Sequence, residues 1–165
     1  MKIMRAMIVA VVLIGSGLWV GSSAGKPPVP TPSLQGQIVG TWKLASRTVK
    51  KPDGSVAPLA GWDGAPGYIA YDRNGFMSVQ FMQLNRTKDS GPNSYTAYFG
   101  LYTVDENTKT VTHHIIGDVK PDGVGANQPR KVVIEGDRLS LTFPDASSPD
   151  SVDTNSFTRM NQNFR

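Results

Sequence analysis

The sequence contains no cysteine, two histidines and two glutamates among its 165 residues. Without cysteine, the chain can form no disulfide bond, thiol nucleophile, zinc knuckle or iron–sulfur cluster. The histidines are the adjacent His113 and His114, and neighbouring strand residues point to opposite faces, which argues against a chelating pair. The glutamates, Glu106 and Glu135, would leave a paired-carboxylate hydrolase dependent on aspartate. We therefore expect neither a bound metal nor a cofactor.

Common catalytic motifs are missing as well. The chain has no Gly-x-Ser-x-Gly nucleophile elbow, no glycine-rich phosphate loop and no His-Glu-x-x-His motif. Together with the scarcity of His, Glu and Cys, this absence favours a binding role over a catalytic one.

The net charge of +4 does not indicate a nucleic-acid partner. Residues 1–24 carry Lys2 and Arg5 and no acid, so the rest of the chain has 15 Lys and Arg against 13 Asp and Glu. No run of basic residues exceeds the pair Lys50-Lys51 in length. Nucleic-acid binding needs a clustered basic patch, and we exclude that class of partner.

Residues 1–24 have the layout of a secretory signal peptide. A basic start precedes the apolar run 6–14, and Ser22 and Ala24 supply small residues before a cleavage site. An uncleaved membrane anchor is the alternative, but a spanning helix needs about 20 apolar residues, and the apolar stretch 6–20 has 15 with two glycines. We expect export to the periplasm or the medium, with no stable membrane insertion after cleavage. Residues 25–33 then form a proline-rich linker, and residues 34–165 form one domain. The sequence does not determine the oligomeric state of this domain.

Short alternating apolar runs separated by turn residues predict an all-β domain of about eight strands. Asn74-Gly75 between two such runs is a strong hairpin signal. Sequential hairpins favour a mostly antiparallel up-and-down barrel able to hold one small ligand, and a β-sandwich remains the alternative. The predicted strands are residues 42–49, 67–72, 76–84, 97–104, 110–116, 131–134, 138–143 and 156–160.

A set of segments in a fixed order resembles one family. They are Gly40-Thr41-Trp42, 67–71 (GYIAY), 75–80 (GFMSVQ), 98–106 (YFGLYTVDE), 110–114 (TVTHH) and 136–139 (GDRL). Together they resemble the bacterial and fungal lipocalin-like domain family over residues 34–164. The resemblance implies a calycin-like barrel, with structural roles for Gly40, Trp42 and Arg159. In such barrels the Gly-x-Trp tryptophan closes one end and stacks against an arginine of the last strand. The family has no single established activity to transfer.

A small-molecule pocket is mostly apolar with a few convergent polar groups. Eight residues on or beside the predicted strands could supply those groups, although each also fits a structural role in the barrel wall or on the surface. Alternation separates the two faces of each strand without showing which face looks inward. The ligand-binding candidates are Tyr68, Tyr71, Gln80, Tyr98, Tyr102, His113, His114 and Arg130.

These observations favour an exported protein that binds a small hydrophobic molecule inside the barrel. The alternative is an isomerase or cyclase in which His113 or His114 moves a proton of a bound metabolite. A third possibility is a structural or interaction module of the cell envelope, with the barrel filled by side chains.

Overall fold

A computed structural model describes residues 32–145 and 148–161 of the chain. The predicted signal peptide, and the predicted linker up to residue 31, lie outside the described residues. Within these ranges the chain forms one short α-helix, α1, two three-residue 3₁₀ helices (Pro92–Ser94 and Pro121–Gly123) and nine β-strands. The elements are α1 (Leu34–Ile38), β1 (Gly40–Lys50), β2 (Val56–Pro58), β3 (Gly67–Tyr71), β4 (Phe76–Met82), β5 (Tyr95–Asp105), β6 (Thr110–Asp118), β7 (Asn127–Glu135), β8 (Arg138–Asp145) and β9 (Ser148–Arg159).

Eight strands form a closed antiparallel barrel. The order β1-β3-β4-β5-β6-β7-β8-β9 follows the chain, and β9 pairs with β1 from Trp42↔Arg159 to Lys50↔Val152. The all-β, up-and-down barrel predicted from the sequence is confirmed. β2 is an additional three-residue strand on the end of β1. Neither β2 nor the five-residue α1 was expected, because both are too short for a recognisable hydrophobic period.

The barrel has a closed end and an open end. At the closed end lie α1 and the tight turns 72–75, 106–109 and 136–137. Glu106 anchors α1, because its carboxylate accepts hydrogen bonds from the backbone N–H groups of Leu34 and Gln35, both at 3.0 Å. These contacts lower the pKa of Glu106. Within the described ranges, no helix has the length and apolar character needed to cross a membrane.

Trp42 and Arg159 close the barrel at the α1 end, as the family resemblance implied. The Arg159 guanidinium carbon lies 4.0 Å from the Trp42 ring centroid. Its Nη1 donates to the Val39 carbonyl at 2.9 Å and its Nη2 to the Gln37 carbonyl at 2.6 Å. Gly40 has φ +135°, and a Cβ there would lie 2.9 Å from Arg159 Nη1. The glycine is therefore required both by its backbone conformation and by the close arginine.

Apolar side chains fill the half of the barrel next to α1. Alternating positions point inward, and the outward positions between them are more polar or more exposed. The interior is therefore solid at this end, and any space for a ligand has to lie nearer the open end. The buried residues include Ile38, Trp42, Ile69, Val79, Val111, Leu139, Leu141 and Phe157.

Candidate functional site

A buried histidine lies between two tyrosines inside the barrel. His113, on β6, is 1% exposed. Its Nε2 lies 2.7 Å from the Tyr71 hydroxyl and its Nδ1 lies 3.0 Å from the Tyr98 hydroxyl. Residues Tyr71, His113 and Tyr98, which we call the Tyr–His–Tyr relay, therefore form one continuous hydrogen-bonded chain across the interior.

Burial keeps the relay uncharged. It lowers the pKa of His113 to about 3, with smaller contributions from Arg130 and His114. It also raises the pKa of Tyr71 well above its usual value and raises the pKa of Tyr98, the latter against the opposing influence of Arg130. At neutral pH the imidazole and both phenols are neutral.

Two arginines flank the relay on the open side, each held against an aromatic ring. The Arg47 guanidinium carbon lies 4.2 Å from the Trp62 ring centroid, and Arg47 Nε donates to Asn155 Oδ1 at 3.1 Å. The Arg130 guanidinium carbon lies 3.9 Å from the Phe143 ring centroid. Aromatic stacking fixes the guanidinium positions and leaves their edges free to donate hydrogen bonds.

Not every hydrogen-bond donor of Arg47 has an acceptor among the described residues. Its Nη1 is buried, and no group among the described residues accepts a hydrogen bond from it. The same holds for Asp153 Oδ1, which is buried without a donor in the described part of the chain. Burial lowers the pKa of Arg47 against the influence of Asp153, and burial, together with Asp145, raises the pKa of Asp153. Unpaired buried polar atoms are uncommon, and here the two belong to oppositely charged side chains that attract each other.

A cavity of about 180 Å³ opens between these groups at the open end of the barrel. This volume is several times the roughly 30 Å³ that one water molecule occupies. It is smaller than the roughly 300–1,000 Å³ typical of sites for drug-sized molecules. A larger hollow of about 330 Å³ beside Ala45 lies on the outer wall, away from the relay and both arginines. The smaller cavity is lined by Arg47, Phe81, Thr96, Tyr98, Asp118, Val119, Lys120, Gln128, Arg130, Phe143 and Asn155.

The structure brings together four of the eight predicted ligand-binding candidates. Tyr98 and Arg130 line the cavity, and His113 and Tyr71 lie behind Tyr98 in the relay. Tyr102 is also buried, but its hydroxyl donates to the Asp72 carbonyl at 2.8 Å at the closed end. Tyr102 therefore supports the ring of Tyr71, 4.9 Å away between centroids, and does not line the cavity.

The other three candidates lie on the outer face of the barrel, away from the cavity. Tyr68 and Gln80 are exposed cross-strand partners, because Ile69 and Val79 take the inward positions of their strands. His114 Nε2 lies 2.9 Å from Thr103 Oγ1, and its Nδ1 lies 2.6 Å from Asn127 Oδ1. In the described ranges, no three His, Asp or Glu side chains lie close enough together to hold a metal ion.

Sequence reasoning missed the residues that complete the cavity. Arg47 was not predicted to face the interior, because a β-bulge between Leu44 and Ser46 shifts the inward face of β1 by one residue. Without the bulge, alternation from Trp42 would place Arg47 outside. A bulge has no reliable mark in a single sequence. Trp62 lies in a loop, where alternation gives no information. The other missed lining residues are Phe81, Thr96, Asp118, Val119, Lys120, Gln128, Phe143 and Asn155.

The sequence profile of the lipocalin-like domain family matches residues 39–159. The chain belongs to this family. That span runs from the start of β1 to the end of β9, so it takes in the whole lipocalin-like barrel, the relay and the cavity. No curated protein matches the chain.

Two solved structures resemble this lipocalin-like domain. A lipocalin-like protein from Bacteroides uniformis is 17% identical, covering 76% of this chain and 100% of its own, with a TM-score of 0.45. An uncharacterized protein from Bacteroides eggerthii is 14% identical, covering 74% of this chain and 99% of its own, with a TM-score of 0.42.

Proposed function

We propose that this lipocalin-like domain is exported and binds a small molecule in the cavity at the open end of its barrel. The observation that carries the proposal is the cavity of about 180 Å³, which is lined by Tyr98, one end of the Tyr–His–Tyr relay. It combines aromatic walls from Phe81 and Phe143 with converging polar groups from Tyr98 and Arg130. Apolar walls with a few fixed polar groups are the usual composition of a ligand site.

The geometry refines the expectation of a small, largely apolar ligand. Side chains fill the apolar half of the barrel, so the space left for a ligand is the cavity at the open end, and the lining of that cavity is partly polar. A molecule with a flat or short apolar body and one polar end fits this lining. The filled half also agrees with a structural envelope module, but such a module does not need the cavity or the unpaired Arg47 Nη1.

The isomerase or cyclase alternative receives less support. Both ring nitrogens of His113 are hydrogen-bonded to tyrosines, so neither is open to a molecule in the cavity. His114 lies on the outer face. The proton carrier that this alternative requires is therefore not presented to a ligand.

Native mass spectrometry of the full chain, expressed in a bacterial host that exports it, tests the proposal. We expect the exported form to begin at Gly25 and to carry a small bound mass. The variant Thr96→Trp fills the cavity and should lose that mass. Ser78→Trp adds the same ring on the outer face of β4 and should keep it.

A second measurement locates binding. Trp62 lies beside the cavity, where its ring contacts Arg47, and the Trp42 indole N–H donates to the Ile38 carbonyl at 2.8 Å at the closed end. In a ¹H–¹⁵N spectrum, a cavity ligand should shift the Trp62 indole signal and leave that of Trp42 unchanged. A wild-type protein that carries no small molecule and shows no Trp62 shift with any of a library of small molecules would refute binding.

A further inference from the structure

We propose that the cavity selects an anion, and specifically the carboxylate of a small organic acid, through the Tyr98 hydroxyl and the arginines Arg47 and Arg130. This inference rests on the proposed binding function and names the chemical class of its ligand. It is carried by the direction of the hydrogen bonds in the relay and by the two arginines that line the cavity with Tyr98.

The relay has a defined direction. Tyr71 is buried, and its hydroxyl proton has one acceptor among the described residues, Nε2 of His113 at 2.7 Å. A buried hydroxyl proton needs an acceptor, so Tyr71 donates to Nε2. Neutral His113 then carries its single proton on Nδ1 and donates it to the Tyr98 hydroxyl oxygen at 3.0 Å.

This assignment leaves the Tyr98 proton free. The Tyr98 oxygen already accepts from His113, and Arg130, which lies beside it, offers only further donors. No hydrogen bond among the described residues takes the Tyr98 proton, and the nearby Asp118 carboxylate acts on Tyr98 through its charge alone. Since Tyr98 lines the cavity, its O–H points a donor at the ligand. The reverse direction would leave the buried Tyr71 proton without an acceptor.

The arginines add donors to the same cavity. Arg47 lines the cavity, and its Nε is held by Asn155 and its plane by Trp62, whereas its Nη1 has no accessible surface. Arg130 is held against Phe143, and it donates to the Gln128 side chain through Nη2 and to the Pro129 carbonyl through Nη1. Both guanidinium groups are therefore positioned before a ligand arrives, which reduces the entropy lost when they bind one. A carboxylate accepts hydrogen bonds from such donors with both oxygens.

The charge of the lining agrees with an anionic ligand. Three cationic residues, Arg47, Lys120 and Arg130, line the cavity with one carboxylate, Asp118. Asp118 already accepts a hydrogen bond from the Lys120 backbone N–H at 2.8 Å. Asp153 interacts with Arg47 but is not part of the lining, and including it still leaves three cations against two acids.

Matched carboxylate and amide probes test the inference. Benzoate and hexanoate would be titrated into the full-length protein, alongside benzamide and hexanamide, with the Trp62 indole shift as the readout. Each amide has nearly the shape of its acid and lacks the charge. We expect each carboxylate to bind at least about tenfold more tightly than its amide, since charge-assisted hydrogen bonds are the stronger kind.

Two variants assign the effect to the named donors. Tyr98→Phe and Arg47→Gln should each weaken carboxylate binding about tenfold and affect the amides less. Tyr68→Phe and Arg138→Gln make the same chemical changes at exposed positions and should leave affinity unchanged. The variant spectra, compared with that of the wild type, show that each protein is folded before it is titrated.

The outcomes separate the two proposals. Equal affinity for acids and amides would overturn carboxylate selection and leave small-molecule binding intact. Preference for the acids that survives both Tyr98→Phe and Arg47→Gln would also overturn the assignment. Failure of all four probes to shift Trp62 at millimolar concentration would overturn the carboxylate inference, and an empty native mass spectrum would then count against binding itself.

Discussion

The Tyr71 hydroxyl lies 2.7 Å from Nε2 of His113, and the two side chains are 2% and 1% exposed. Replacing Tyr71 by Phe removes this hydroxyl and leaves a buried ring nitrogen without a partner. The expected loss is about 1–3 kcal/mol in the free energy of unfolding. Urea denaturation monitored by circular dichroism measures it. Tyr68→Phe, on the exposed outer face, should change stability by no more than about 0.5 kcal/mol. Equal effects of the two substitutions would contradict the buried relay.

The lowered pKa of His113 makes stability depend on pH. In the folded protein this pKa is about 3, whereas in the unfolded chain it is near 6.5. Between these values the unfolded state binds a proton that the folded state does not, so stability falls as pH falls. The stability that the fold has while His113 is neutral is fully present above about pH 6.5. About 2 kcal/mol of the free energy of unfolding is lost between pH 7 and pH 5.

Urea denaturation at pH 7, 6 and 5 tests this dependence. Wild type and His114→Asn should show the same decline, because His114 is on the outer face and outside the relay. His113→Asn should show a decline smaller by about 2 kcal/mol across the same range. Because the comparison uses the change with pH, it does not depend on how much the substitution lowers stability at pH 7. Parallel curves for all three proteins would rule out a depressed His113 pKa.

Alternation and turn residues were enough to predict the eight barrel strands, since each strand buries one face against a common core. They could not determine which face of each strand is inward, and so Tyr68 and Gln80 were grouped with Tyr71 and Tyr98. The inward face is chosen by the packing of all strands together, which gives the interior positions to Ile69 and Val79. Information of this kind is not local to any strand.

The cavity was harder to predict than the fold for a similar reason. Arg47 points inward because of the bulge in β1, and Trp62, which lies in a loop, contacts Arg47. By contrast, the contact between Trp42 and Arg159 could be expected from the family resemblance, because it belongs to the shared closure of the barrel. Features that many relatives share were predictable, and those set by one irregularity of this chain were not.

The closure at Arg159 provides a stability prediction. Arg159→Lys keeps the charge but loses the planar fork that donates to the Val39 and Gln37 carbonyls and covers Trp42. We expect a decrease of about 1–3 kcal/mol in the free energy of unfolding. Arg138→Lys, at an exposed position of β8, serves as the control and should be close to neutral. A tolerated Arg159→Lys would show that charge alone suffices at this end.

Gly100 provides a test of the strand geometry beside the relay. Gly100 lies on the inward face of β5, next to the bulge that follows Phe99. A Cβ at this position would overlap the backbone carbonyl oxygen of His114. This oxygen belongs to the backbone, and the backbone cannot move away as the end of a flexible side chain can. Gly100→Ala should therefore lower the free energy of unfolding by about 2 kcal/mol or more, since overpacking forces the strands apart. It should also shift the NMR signals of His113, because β5 and β6 carry Tyr98 and His113.

Gly91→Ala is the matched control for Gly100→Ala. Gly91 has φ −66° and ψ 171°, an extended conformation that alanine adopts freely. A Cβ at this position would meet no atom of the described residues within 4 Å. We expect unchanged or slightly increased stability, because alanine restricts the unfolded chain more than glycine does. If thermal denaturation showed both alanine variants to be equally stable, the close approach of β5 and β6 at Gly100 would be wrong, and with it the register that pairs Tyr98 with Asp118 and Tyr102 with His113.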